Sequence, residues 1–169
     1  MTPDELRARQ APLKARYKEA PESALVRLRA RGRVDQASVT CKLETGKHGA
    51  PAGLHPATGG DGSAACSGDM LLEALVGCAG VTLAAVATAM GITLDEATVE
   101  AEGDVDFRGT LGVSREAPVG FVNMTLTFGL RANEPGEKLK KLVELSERYC
   151  VVLQTLSKPP VVKVDIREA

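Results

Sequence analysis

The sequence predicts an α+β fold in which antiparallel strands pack around a long buried central helix, and three features carry that expectation. Strictly alternating apolar and polar runs cluster before residue 45 and again after residue 97. Between them, residues 70–90 form an almost uncharged segment with Glu73 as its one charged side chain. Strands grouped on either side of one helix, rather than alternating regularly with helices, favour segregated layers over a parallel βαβ sheet.

At 169 residues the chain is long enough for one domain with a sizeable core. A formal net charge of -1 and a pI near 6.2 provide no long-range field for nucleic acid or anionic lipid. Aromatic residues are only 3% with no Trp, so the core is built from Ala, Val, Leu and Gly. Thr2 and Pro3 followed by Asp4 and Glu5 read as a helix start, and a charged helix running to about Lys18 makes residues 1–20 an N-terminal extension. Residues 21–169 then form the main domain. The N-terminal segment has no apolar stretch leading to a small-residue cleavage site, and the expected location is cytoplasmic.

From Ala24 to Arg31, Val26, Leu28 and Ala30 share one strand face and Arg27, Arg29 and Arg31 the other. Val34, Asp35 and Gln36 read as a turn, after which Ala37, Val39, Cys41 and Leu43 alternate in a second strand. Residues 46–68 are rich in Gly and Pro with neither period, which predicts a long loop. Ser67 as N-cap and Gly91 as stop delimit the central helix at roughly 68–90. That helix is long enough to span a bilayer. Its Ala and Gly content, Thr82, Thr88 and the lack of flanking Lys, Arg or aromatic belts favour a helix buried on all sides in a soluble fold.

Strands are expected from about Thr98 to Phe107 and from Phe121 to Leu130, the latter with Val122, Met124, Leu126, Phe128 and Leu130 inward. Glu134, Pro135 and Gly136 open a helix with Leu139, Leu142, Val143 and Tyr149 at helical spacing, and Cys150 lies where it ends. A short helix over 150–157 stops before Pro159 and Pro160. A final strand puts Val162, Val164 and Ile166 inward.

Several chemistries lack support. No phosphate-binding loop occurs. His48 and His55 lie in the Gly-rich loop without a further cluster of metal ligands and read as solvated loop residues. The Arg27, Arg29, Arg31 and Arg33 series reads as a solvated strand face, since no aromatics interleave it for stacking on bases. Four cysteines, Cys41, Cys66, Cys78 and Cys150, are too few for a disulfide-stapled secreted domain and contain no C-x-x-C pair. Cys41 takes its turn in an inward alternation, and Cys66 precedes the helix without an assignable role. Cys78, flanked by Gly77 and Gly80, sits where small residues leave room for another backbone or a substrate. From the residues alone, inert buried thiols and catalytic ones both remain open for Cys78 and Cys150.

The stretch Ser67-Gly68-Asp69-Met70-Leu71-Leu72-Glu73-Ala74-Leu75-Val76-Gly77-Cys78 resembles the helix signature of the OsmC/Ohr family (osmotically inducible protein C-like, organic hydroperoxide resistance). Tyr149-Cys150-Val151-Val152-Leu153-Gln154-Thr155-Leu156 is similar to that family's Cys-Pro-Val-x-x-Thr-Leu segment. The resemblance covers about residues 24–167 in matching element order. It implies an OsmC-like fold, an intertwined homodimer and a thiol peroxidase that reduces organic or fatty-acid hydroperoxides. In that reading Cys78 becomes a sulfenic acid, Cys150 condenses with it to a disulfide, and an external dithiol such as dihydrolipoamide restores both. No cofactor, metal, nucleic acid or membrane enters. Asp69, at the helix start, corresponds to a carboxylate that orients an activating Arg, for which Arg31 and Arg33 are the candidates. Gly68 replaces the usual Pro, Asp69 stands where many members have Glu, and Val151 replaces the Pro after the second cysteine. An OsmC-like protein without peroxidase turnover, binding a small molecule or associated with stress, is the alternative.

Overall fold

The structure, a computed structural model, describes residues 51–112 and 114–167, the backbone of 32–35 and 40–43, and residues 2–5, 8, 11 and 19. At the N-terminus the Thr2 N–H donates to Glu5 Oε2 at 2.8 Å and the Glu5 N–H donates to Thr2 Oγ1 at 3.2 Å. This reciprocal pair is a capping box that satisfies two otherwise orphaned donors.

Strand β1 (Gly32–Asp35) pairs antiparallel with β2 (Thr40–Leu43), which pairs antiparallel with β3 (Pro51–Gly53), and β3 pairs in parallel with β4 (Ala65–Cys66). The hairpin expected near residue 36 is present, but Val34 and Asp35 belong to its first strand rather than its turn. The expected strand Ala24–Arg31 lies outside the described residues. The 46–68 segment is not one structureless loop: it carries β3, β4 and a 3₁₀ turn at Pro56–Thr58. Strands of two or three residues are too short to leave a period in sequence, and backbone pairing alone defines them.

Helix α1 (Ser67–Ala89) follows β4 directly, with Cys66 rather than Ser67 at its N-cap. Its end is the one the sequence predicts. Gly91 adopts φ 66°, its N–H donates to Thr88 O at 3.1 Å, and the Ile92 N–H reaches Ala87 O at 2.9 Å. These are the paired bonds of a Schellman stop, which needs a left-handed residue and so favours Gly. Ile92 then folds under the helix into the core.

β5 (Glu96–Val105) and β6 (Phe121–Arg131) form an antiparallel pair, with the short helix α2 (Phe107–Thr110) between them in sequence. Met124, Leu126, Phe128 and Leu130 are half-buried, as the alternation predicts, whereas Val122 is exposed. The reason is a register shift: Asp104 pairs with Asn123 but Val105 pairs with Phe121, so Val122 is bulged out and Phe121 turns inward. Beside the bulge, a Cβ at Gly103 would sit 2.7 Å from Phe121 Cδ1 and 2.8 Å from the Asn123 carbonyl oxygen. Helix α3 (Gly136–Tyr149) and helix α4 (Val151–Ser157) complete the ordered elements, joined by Cys150.

Leu75, Ala79, Leu83 and Ala87 form a buried stripe at i, i+4 spacing along α1. One half of the core gathers Leu83, Ala87, Ile92 and Leu142, with Val99, Phe128 and Leu139 packed on it. The other gathers Leu75, Ala79 and Cys150. Helix α1 has the length and apolarity to cross a membrane, yet it packs against β5, α3 and α4. It is not buried on all sides as expected: Glu73, Ala74, Gly77, Val81 and Ala84 are exposed in this chain. Tyr149 also lies outside the core, with the Arg148 guanidinium 5.6 Å above its ring.

The expected final strand is a second correction. Residues 158–167 take no regular structure, and Val161, Val162, Val164 and Ile166 are all more than three-quarters exposed. Alternation satisfies a strand only where a sheet edge accepts its backbone, and no described edge of this chain does so.

Leu142 of α3 is fully buried in the cluster with Leu83, Ala87 and Ile92. Truncation by Leu142→Ala is expected to lower unfolding stability by about 3 kcal/mol, read as a shifted urea midpoint, since removing a fully buried leucine costs 2–5 kcal/mol. A cost below about 1 kcal/mol would contradict this packing.

Candidate active site

Cys78 lies on α1 one residue before the buried Ala79. That offset rotates its thiol to the edge of the stripe, where it is half-buried. Cys150 is fully buried and packs on Leu75 and Ala79. The chain reaches it through a break between two helices. The Cys150 N–H donates to Ser146 O at 3.0 Å, closing α3, while its own carbonyl accepts from the Gln154 N–H at 2.9 Å, opening α4. With φ -73° and ψ 108°, Cys150 is extended between them. The structure thus brings together two thiols 72 positions apart in sequence. Cys78 packs against the cluster that holds Cys150, and both are free thiols.

Their environments push the two thiols in opposite directions. Burial by itself would raise Cys78, but the Val152 N–H, the Cys150 thiol, the Val151 N–H and the Thr82 hydroxyl outweigh it and hold Cys78 below the ordinary thiol value. For Cys150 burial dominates and is reinforced by Cys78 itself, so it lies above that value despite the Leu153 and Val152 amides. Thr82 stands one turn after Cys78, and its Oγ1 donates to the Cys78 carbonyl at 2.7 Å. A nucleophile with a depressed pKa against a neighbour with a raised one is the arrangement in which one sulfur attacks and the other waits.

A cleft of about 330 Å³ borders the cluster around Cys150, lined by Leu75, Met124, Leu126, Leu153 and Leu156 together with Asn123 and Ser157; neither thiol lines it. Its leucines and Met124 belong to that cluster. A second cavity, about 430 Å³, lies at the start of α1 and is lined by Cys66, His55, Phe107 and Phe121. His55 is not a solvated loop residue: its Nδ1 accepts from the Ala57 N–H at 3.0 Å and its ring stacks on Phe107 at 4.9 Å.

Among the other sequence candidates, Asp69 stands away from the thiols. Asp69 is exposed in the first turn of α1, nine residues before Cys78 and so roughly 13 Å away along the axis. Arg31, Arg27, Arg29 and His48 lie outside the described residues. Arg33 is on β1 with its backbone in register with Lys42, and Cys41 is on β2 in register with Val34 and Ala52. Thr82, Val151 and Val152 were not singled out as site residues by sequence. Only the i+4 spacing of Thr82 from Cys78, and the occurrence of Val151 after a cysteine where the resembled family has Pro, could have pointed to them.

Fold and thiol pair together define a cysteine-centred α+β protein built on one long apolar helix. A sequence profile of the family described as OsmC-like protein matches residues 60–165, and the chain belongs to that family. Solved structures agree on the fold. An OsmC-like protein from Mycoplasma pneumoniae superposes with a TM-score of 0.65 at 13% identity, over 79% of this chain and 89% of that one. An organic hydroperoxide resistance protein OsmC from Legionella pneumophila gives 0.58 at 15% identity, over 80% and 92%. The organic hydroperoxide resistance protein OhrB of Bacillus subtilis gives 0.54 at 16% identity, over 80% and 94%. No curated protein sequence matches the chain at a significant level.

The opposed pKa shifts have a direct readout. In reduced protein alkylated across a pH series, Cys78 is expected to be modified with a midpoint below the ordinary thiol value of about 8.5 and Cys150 only above it. The order follows because the thiolate is the reacting form. Peptide mapping that found Cys150 modified first would reverse the assigned roles.

Proposed function

We propose that the protein is a cysteine-based peroxidase that reduces organic hydroperoxides in the cytoplasm. The observation that carries this reading is the packing of Cys78 against the cluster of the fully buried Cys150, in surroundings that push the two thiols in opposite directions. The Cys78 thiolate attacks the distal peroxide oxygen, the O–O bond breaks, and the alkoxide leaves as the alcohol after taking up a proton. Cys78 is thereby oxidised to a sulfenic acid. The Cys150 thiol attacks that sulfur, water departs, and a Cys78–Cys150 disulfide forms. An external dithiol such as dihydrolipoamide returns both to thiols at the expense of its own oxidation. Apolar side chains around the pair favour an alkyl or fatty-acid hydroperoxide over hydrogen peroxide. The names of the Legionella pneumophila and Bacillus subtilis neighbours point the same way. Asp69 with Arg31 or Arg33 would act as the carboxylate and cation of the family resemblance only if a second copy supplied them to the thiol, since Asp69 and Cys78 are held apart on one helix.

A homodimer goes with this reading. The exposed Val161, Val162, Val164 and Ile166 and the open face of α1 with Gly77 and Val81 are apolar surfaces that a second copy would cover. The exposed Asp69, distant from the thiols in this chain, favours the second reading, an OsmC-like protein that binds a small molecule without turnover.

Cumene hydroperoxide with dihydrolipoamide is expected to support multiple turnovers, at a rate at least tenfold above that with hydrogen peroxide. Cys78→Ser should reduce that rate more than 100-fold, and Cys150→Ser should leave a single sulfenic acid, trapped by dimedone, with no intramolecular disulfide. Stoichiometric oxidation without turnover under thioredoxin, dihydrolipoamide and glutathione alike would select the second reading. For assembly, light scattering is expected to return about twice the 17.7 kDa chain mass. Removal of residues 160–169 should lower the observed mass toward one chain, and an unchanged dimer would remove this role from the C-terminal segment.

A further inference from the structure

Helix α3 stops at Tyr149 and α4 starts at Val151, so the chain turns a corner at the single extended residue between them, Cys150. A corner of this kind strands acceptors, because the last carbonyls of a helix have no donor within it. Ser146 O is satisfied by the Cys150 N–H at 3.0 Å. The next carbonyl, that of Glu147, would in an unbroken helix take the N–H four residues on, at Val151. Here it accepts instead from the side-chain amide of Gln154, whose Nε2 lies 2.9 Å away. The main-chain N–H of the same Gln154 donates to the Cys150 carbonyl, also at 2.9 Å. One exposed residue therefore grips the corner twice, through its backbone at the fully buried Cys150 and through its side chain at Glu147. Thr155 and Ser157 donate their hydroxyls within α4, to Val151 O and Leu153 O at 2.8 Å, so among the described residues Gln154 is the one α4 side chain hydrogen-bonded to another element. Val152, Leu153 and Leu156 pack on the cluster of Leu75, Ala79 and Cys150, but apolar contact is non-directional and does not fix the dihedral angles of the corner.

We propose that Gln154 is a positioning residue for the thiol pair: by bracing the α3–α4 corner it holds Cys150 in the cluster against which Cys78 packs, and so sets how readily the two sulfurs close to a disulfide. Gln154 acts through the main chain around Cys150 and not on either sulfur. Without the brace, the freed Glu147 carbonyl is an acceptor for the Val151 N–H. That bond requires Cys150 to leave its ψ of 108° for the helical region near about -42°, which swings α4 away from the cluster. The side-chain bond therefore keeps the bent arrangement in place of a straight one. The inference rests on the Cys78–Cys150 couple of the proposed function, but it concerns how that couple closes and not what oxidises it.

Three variants separate the donor from the bulk of the side chain. Gln154→Ala removes it, Gln154→Glu keeps its shape but as a carboxylate has nothing to donate, and Gln154→Lys restores a long donor that suits a helix C-terminus. Each protein is equilibrated with mixtures of reduced and oxidised glutathione, quenched in acid, and its disulfide and dithiol forms are counted by peptide mapping. In that exchange one protein thiolate displaces a glutathione thiolate from oxidised glutathione, the second displaces the other from the mixed disulfide, and the two electrons of the protein end on two glutathione thiols. The ratio gives the effective concentration of Cys150 toward Cys78. Gln154→Ala and Gln154→Glu are expected to lower it about fivefold, the size of one net hydrogen bond, and Gln154→Lys to stay close to the parent. Equal values in all four proteins, or a fall in Gln154→Lys as large as in Gln154→Ala, would overturn the proposal. A second readout needs no disulfide. Because Cys150 is enclosed, its alkylation in reduced protein requires the corner to open, so Ala and Glu should speed it about fivefold at one pH while Lys does not. Equal labelling rates in all four would also overturn it. Neither readout uses a peroxide, so loss of hydroperoxide turnover would count against the proposed function alone.

Discussion

Everything in this fold leans on one constraint, the close approach that Ala79 and Ala87 allow along the buried stripe of α1. Leu75 and Leu83 provide bulk, while the alanines alternating with them admit the side chains of neighbouring elements. Interiors pack near crystal density, so a larger residue at either alanine would have to displace a neighbour. At Ala87 the space is taken by Ile92 and Leu142; at Ala79 it is taken by Cys150. The same helix face therefore organises the hydrophobic core and delivers the second thiol.

From that packing the asymmetry of the thiols follows. Cys78 is next to Ala79 in sequence and so about 100° around the helix from it, partly out of the core. Cys150 sits on the stripe itself and is wholly enclosed. Burial disfavours charge on both, but only Cys78 collects enough donors to overcome it. Electrostatic differentiation here needs no ion pair among the groups acting on the sulfur most strongly. The groups that lower Cys78 are the amides at the helix break, the Cys150 thiol and the Thr82 hydroxyl of α1.

What could be read in the sequence was whatever is written locally. The apolar run from Met70 to Met90 with Gly91 beyond it marked α1 and its Schellman stop, and Cys150 fell at the helix boundary that the spacing of Leu139 and Leu142 indicated. The β3 and β4 strands escaped because two or three residues carry no period. Val122 followed the alternation but was turned outward by a bulge that only the pairing with β5 defines. The alternation of Val162, Val164 and Ile166 is plain, yet the surface it would cover is not among the described edges of this chain. The paired motifs pointed to Cys78 and Cys150, whereas the donors around them did not stand out. A main-chain N–H belongs to every residue except proline, so its use leaves no mark in a sequence beyond the absence of that one residue.

The complete enclosure of Cys150 also decides the direction in which a bond between the two sulfurs could be opened. Solvent reaches only the Cys78 side, so an incoming thiolate would have to strike there and expel Cys150 as the departing sulfur. Cys150 is the less acidic of the pair, and exchange slows as the leaving thiol becomes more basic. Shielding of this kind makes such a bond resistant to casual monothiols while leaving it open to a reductant that holds a second thiol ready to complete the exchange.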